Sequence, residues 1–106
     1  MKNQQQIREE RRRLREEYGD LFDDVAALLF RHDPAGINFE INANEYEPEA
    51  GTILPRLSDC RSVQDVERIV AKELDHWFGS GNIRSNAPAE ITPDLWALWQ
   101  ERRNLR

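Results

Sequence analysis

The sequence has little of what usually betrays a function. Cys60 is the only cysteine in 106 residues, which excludes an internal disulfide and points to a reducing compartment, the cytoplasm. The longest apolar run, Val25 to Phe30, falls far below the roughly 20 residues needed to cross a bilayer as a helix, so no membrane partner is expected. Met1 to Arg15 is polar and charged and carries no apolar stretch of the kind that forms a secretory signal. There is no glycine-rich phosphate loop, no serine nucleophile elbow and no dinucleotide fingerprint, which removes the enzyme classes easiest to recognise. Internal repeats and low-complexity tracts are also missing.

What is there is charge and helical periodicity. The chain is 33% charged and 39% hydrophobic, the balance of a helical protein with a modest core and a heavily charged surface. Its length suits one domain over 1–106. The pattern predicts an all-α fold, a small bundle of about four helices with an ordered loop after the first.

Leu14, Tyr18, Leu21, Phe22, Val25, Leu28 and Leu29 recur at three- and four-residue spacing and predict a helix from about Ile7 to Arg31. Gly19 lies inside it and marks a bend or a break. Asp33-Pro34 ends it, because the residue before a proline is steered away from helical geometry. In 37–44, Ile37, Phe39 and Ile41 alternate with polar residues, so a short β segment is the lesser alternative to a loop. Asn44 caps a second helix from Glu45 to about Leu57, with Pro48 in its first turn and Pro55 ending or kinking it. Ser62 and Asp65 form a capping box ahead of Val63, Val66, Ile69, Val70, Leu74, Trp77 and Phe78, and Gly79 and Gly81 close that third helix. Residues 79–91, rich in Gly, Ser, Asn and Pro, read as a linker. Thr92-Pro93-Asp94 reads as the start of a last helix over 92–104.

Several candidate chemistries can be weighed. Asn38, Glu40, Asn42, Asn44 and Glu49 match the spacing of an EF-hand loop, but Asn38 stands where the leading Asp belongs and Ala43 where the turn glycine belongs. His32, Cys60 and His76 fit no zinc spacing, and a Cys60 nucleophile with His76 as its base needs a contact that sequence does not supply. No metal, no cofactor and no catalytic residue is therefore assigned, and the chain is expected not to be an enzyme. In the run Arg11, Arg12, Arg13 and Arg15, Glu9 with Arg13, Arg12 with Glu16 and Arg13 with Glu17 stand at i,i+4, so the charges mostly satisfy each other, which favours a solvated helix face over a nucleic-acid footprint. A net charge of −5 points the same way, and no nucleic acid is expected as a partner.

Two features exceed composition. Between residues 18 and 60, nine carboxylates face only Arg31 and Arg56, a balance of −7, whereas residues 1–17 carry +2. A concentrated acidic surface steers basic partners. The last helix adds Trp96 and Trp99, which serve a core or an interface equally well. Packing onto its own bundle is favoured over docking on a second copy as a symmetric homodimer.

From His32 to Phe78 the chain resembles a family of small uncharacterised bacterial helical proteins. The resemblance lies in a helix ending in Asp33-Pro34, a short loop, Glu45-Tyr46 opening the next helix, and a Ser62-capped helix. These are structural junctions, so the resemblance implies a helical fold and no reactive residues. Small acidic proteins of similar outline resemble antitoxins or immunity proteins, an analogy of type.

The function expected is a non-enzymatic protein-interaction module, an acidic immunity-like or antitoxin-like inhibitor of a basic partner. Its binding residues would be Asp33, Glu40, Glu45, Tyr46, Glu47 and Glu49, with Trp96 and Trp99 at the far end. The alternatives are a small-ligand-binding or weakly recognisable enzymatic domain, and a structural homodimer joined through the C-terminal helix.

Overall fold

The computed structural model describes residues 4–36 and 46–104. These residues are all-α, with five helices in the order α1 (Gln4–Tyr18), α2 (Asp20–His32), α3 (Glu47–Leu57), α4 (Val63–Phe78) and α5 (Ala87–Asn104). The alternating stretch Ile37 to Ile41 and the Asn44 cap fall outside the described residues.

The count exceeds the expected four because the first helix divides at Gly19. There the backbone takes φ 59° and ψ −136°, a region that a side chain with a Cβ enters only under strain. The Gly19 N–H still donates to the Arg15 carbonyl at 2.7 Å, so α1 closes cleanly before the chain turns. Beyond the break, α2 is amphipathic. Leu21, Phe22, Val25, Ala26, Leu28 and Leu29 are buried, while Asp20, Asp23, Asp24, Ala27 and Arg31 are exposed. Asp20 and Asp23 also favour the positive end of the helix dipole.

Asp33 ends α2 in the left-handed conformation, φ 48°, with its N–H bonded to the Leu29 carbonyl at 2.8 Å. Asp tolerates this geometry better than most residues. Helix α3 begins at Glu47, with Tyr46 at the capping position, two residues later than the expected Glu45. Pro55 sits in its last turn, so the proline bounds the helix without breaking it.

The α4 start follows the sequence closely. Ser62 Oγ accepts from the Asp65 N–H at 3.2 Å, and the Asp65 carboxylate accepts from the Arg61 N–H at 3.0 Å. This carboxylate–amide bond, with Arg68 beside it, holds the Asp65 carboxyl below the usual range. Gly79 closes the helix at φ 90°, its N–H on the Asp75 carbonyl.

Helix α5 begins at Ala87, five residues before Thr92, so the stretch 87–91 belongs to a helix and not to a linker. Ala87, Ile91 and Leu95, one turn apart, are fully buried in the chain's own core. Thr92 does not cap. Its hydroxyl donates back to the Pro88 carbonyl at 2.6 Å inside the helix. Pro93 then lies within α5 on its exposed side, where the carbonyl it leaves without an N–H faces water.

Helix α2 lies at the centre, against α1, α3 and α5, and α4 packs on α3 and α5. Two contacts show that α2 and α5 run antiparallel: His32 meets Asp94 at one end, and Arg102 lies beside Gly19 at the other. Helices α3 and α4 are likewise antiparallel, joined by Trp77 to Thr52 and by Arg56 to Glu73.

Gly19 offers a sign test. In a continuous helix Gly19→Ala would add about 1 kcal/mol of stability, whereas the strained backbone here makes it cost about 1–3 kcal/mol. Urea unfolding of the variant is expected to show a lowered midpoint with an unchanged m-value.

Candidate functional site

The nominated acidic residues that are described, Asp33, Glu47 and Glu49, are engaged or buried within the fold. Asp33 Oδ1 accepts a 2.7 Å hydrogen bond from the Tyr46 hydroxyl, which in turn accepts from the Ala35 N–H at 3.2 Å. Tyr46 is completely buried and stands edge-on to Phe78, ring centroids 6.1 Å apart. Glu47, only 5% exposed, holds α1 to α3: Arg11 Nε lies 2.8 Å from its Oε1 and Arg15 Nη2 3.3 Å from its Oε2. The Arg11 contact is an ion pair by distance without hydrogen-bond alignment, since Oε1 receives no hydrogen bond. Arg15 also reaches Asp23 and lies over the Phe22 ring at 5.2 Å. Two of the four clustered arginines are thus engaged in docking α1, a helix with no buried residue of its own.

Glu49 is 4% exposed, and its Oε2 has no hydrogen-bond partner. Burial pushes its carboxyl up to about 7, with a bond to its own backbone amide offsetting only part of the effect. Glu40 and Glu45 fall outside the described residues, as do Asn38, Asn42 and Asn44 of the EF-hand-like spacing. Trp96 and Trp99 are half-buried and pack against the core from α5.

Cys60 is buried, with its Sγ 3.6 Å from the Arg56 carbonyl. Burial, with Asp65 and Asp59 nearby, pushes its thiol up and away from the thiolate. His76 is exposed and packs edge-on to Trp77, and no hydrogen bond joins it to Cys60 among the described residues. Among those residues no three His, Cys, Asp or Glu side chains gather in a metal-binding group.

Three exposed acids, Asp24, Asp94 and Glu101, meet elsewhere, in a groove between α2 and α5. It encloses 480 Å³ and is lined by Asp24, Ala27, Leu28 and Arg31 from α2 and by Asp94, Ala97, Leu98 and Glu101 from α5. The two alanines, facing each other from antiparallel helices, open the groove; Leu28 and Leu98 give it an apolar floor. Asp94 is met by His32 Nε2 at 3.1 Å, whereas Asp24 and Glu101 make no ion pair among the described residues. Three carboxylates against Arg31 leave the groove negative, with its unpaired acids toward the Gly19 end. No protein-family model, curated protein or solved structure matches the chain. The family resemblance of the His32 to Phe78 junctions therefore rests on those junctions alone.

Sequence reasoning missed this groove although its signal is present. Asp24, Ala27 and Arg31 lie on one face of α2, and Asp94, Ala97 and Glu101 on one face of α5, but that the two faces adjoin is tertiary information. Trp77 was also misplaced. Assigned by spacing to the apolar face of α4, it is 41% exposed, its indole N–H bonded to Thr52 Oγ1 at 3.0 Å. It borders a cleft of 680 Å³ that Ile7, Leu14, Gly51 and Thr52 also line, between α1 and α3.

Glu49 gives the fold a pH dependence of definite sign. Below pH 4.5 the carboxyl is neutral in both folded and unfolded chains. From there to about pH 7 the unfolded chain ionises first, so stability falls as pH rises. The separation corresponds to a loss of about 3 kcal/mol above pH 7. In chemical denaturation at pH 4 and pH 8, Glu49→Gln is expected to remove most of this difference.

Proposed function

We propose that the chain is a non-enzymatic protein-interaction module that takes a basic partner segment into the groove between α2 and α5, covering it in the manner of an immunity-like or antitoxin-like inhibitor. The observation that carries this reading is the groove itself, in which Asp24, Asp94 and Glu101 surround an apolar floor and Arg31 is the single cation of the lining. A segment bearing Lys or Arg beside small apolar residues complements it in both charge and shape. Exposed carboxylates at the edge of such a groove act mainly on the rate of encounter, so binding weakens as salt screens them. The acidic face expected around Asp33, Glu47 and Glu49 contributes less, because those side chains are committed within the fold.

The test places a photo-crosslinking residue at Ala27 or Ala97, with Gln64 on the exposed side of α4 as control, in the native host. The expected product forms from the groove positions and not from Gln64. Its linked partner peptide carries Lys or Arg, and it falls at least about tenfold in an Asp24→Lys, Glu101→Lys variant and in high salt. A linked peptide from a second copy of this chain, or a product indifferent to charge reversal, contradicts the proposal.

A further inference from the structure

The groove between α2 and α5 constrains the conformation of its occupant as well as its charge. Both walls are helices, and every lining residue stands past the first turn of its own, so each backbone N–H is already bonded within α2 or α5. The lining side chains add little. The carboxylates only accept, the alanines and leucines do neither, and Arg31 alone donates. An extended segment laid in this groove would turn main-chain carbonyls toward a floor with almost nothing to donate to them, and a buried carbonyl left unpaired is costly. A helix spends its carbonyls on itself and presents only side chains.

Charge is also distributed unevenly along the groove. Because α2 and α5 are antiparallel, Asp24 and Glu101 share the Gly19 end, the alanines and leucines fill the middle, and Arg31 and Asp94 share the other end. At the Gly19 end both carboxylates are exposed, and neither makes an ion pair among the described residues. At the other end Asp94 is met by His32, and Arg31 already supplies a cation. One end therefore attracts a positive side chain and the other does not. Asp24 and Arg31 stand two turns apart, as do Asp94 and Glu101, so the groove matches a helix face two turns long, about 10 Å.

We propose that the basic segment taken into this groove is an α-helix that docks with one polarity. Its Lys or Arg lies between Asp24 and Glu101, a small apolar residue one turn away lies over Ala27 and Ala97, and the next turn, beside Arg31, carries no cation. Helix-in-groove recognition uses anchors at this same spacing. The inference rests on the groove being the partner site, and it adds the partner's conformation and register.

The test reads the photo-crosslinked products from Ala27 and Ala97 residue by residue, by mass spectrometry of the linked partner peptide. The expected linked residues recur at three- or four-residue spacing, with a Lys or Arg one turn from them. A synthetic peptide of that segment is then titrated calorimetrically into the full chain. Proline placed in its central turn is expected to weaken binding at least about tenfold. A second Lys added two turns from the first, at the Arg31 end, is expected to weaken it about tenfold, and an Arg31→Glu variant should regain the loss. Linked residues that alternate by two, or a central proline without effect, overturn the helix. A second Lys tolerated with Arg31 in place overturns the polarity. Each of these leaves a basic partner in the groove standing, whereas the absence of any linked peptide bearing Lys or Arg removes that reading and this inference together.

Discussion

The Tyr46 hydroxyl is a polar group placed where no water reaches, and the arrangement of the helices turns on how it is satisfied. A buried hydroxyl without a partner costs on the order of several kcal/mol. Asp33 supplies the acceptor, and it does so only because α2 ends there in the left-handed conformation. The bond therefore ties the residue just after α2 to the residue just before α3, thirteen positions away. The same corner is gripped from the other side by Arg84, whose N–H reaches the Pro34 carbonyl at 3.0 Å and whose guanidinium reaches the His32 carbonyl at 2.7 Å. Arg84 is paired in turn with Glu90 at the start of α5. The ends of α2, α3 and α5 thus meet at one hydrogen-bonded junction.

The groove between α2 and α5 depends on that junction, and the course of α1 depends on its counterpart at Gly19. The Asp33 corner sets α5 antiparallel along α2, which brings Ala27 opposite Ala97 and leaves the groove between Asp24 and Glu101 open. At the far end the Gly19 break turns α1 away, so that Arg11 and Arg15 reach Glu47. Residues that count equally in a charge tally end in opposite situations. Glu47 and Glu49 are shut in by helix packing, while Asp24 and Glu101 face water. The surface available to a partner is set by these positions rather than by the net charge.

Local chemistry made some elements legible in the sequence. Ser62 with Asp65 announced the start of α4, Asp33-Pro34 the end of α2, and Gly19 the break, because caps, prolines and glycines act within a few residues. Helix α5 was misjudged at its start for the same reason. The density of Gly, Ser, Asn and Pro around 79–88 and the Thr92-Pro93-Asp94 triplet outweighed the Ala87, Ile91 and Leu95 spacing that packing rewards. Trp77 fits the apolar spacing of α4, yet it is 41% exposed and its N–H bonds to Thr52 of α3, a placement that spacing does not encode. The candidate sites were least legible. Arg11 and Glu47 stand 36 positions apart in sequence, and so nothing local distinguishes a solvated carboxylate from a committed one.

A double-mutant cycle on the corner tests the central claim most directly. Asp33→Gly keeps the left-handed turn accessible while removing the carboxylate, and Tyr46→Phe keeps the ring while removing the hydroxyl. Measured by urea unfolding, the two changes are expected to be strongly non-additive, with a coupling of about 1–3 kcal/mol, because either one breaks the same bond. Additive losses would mean that Asp33 and Tyr46 act independently and that the corner is held by something else.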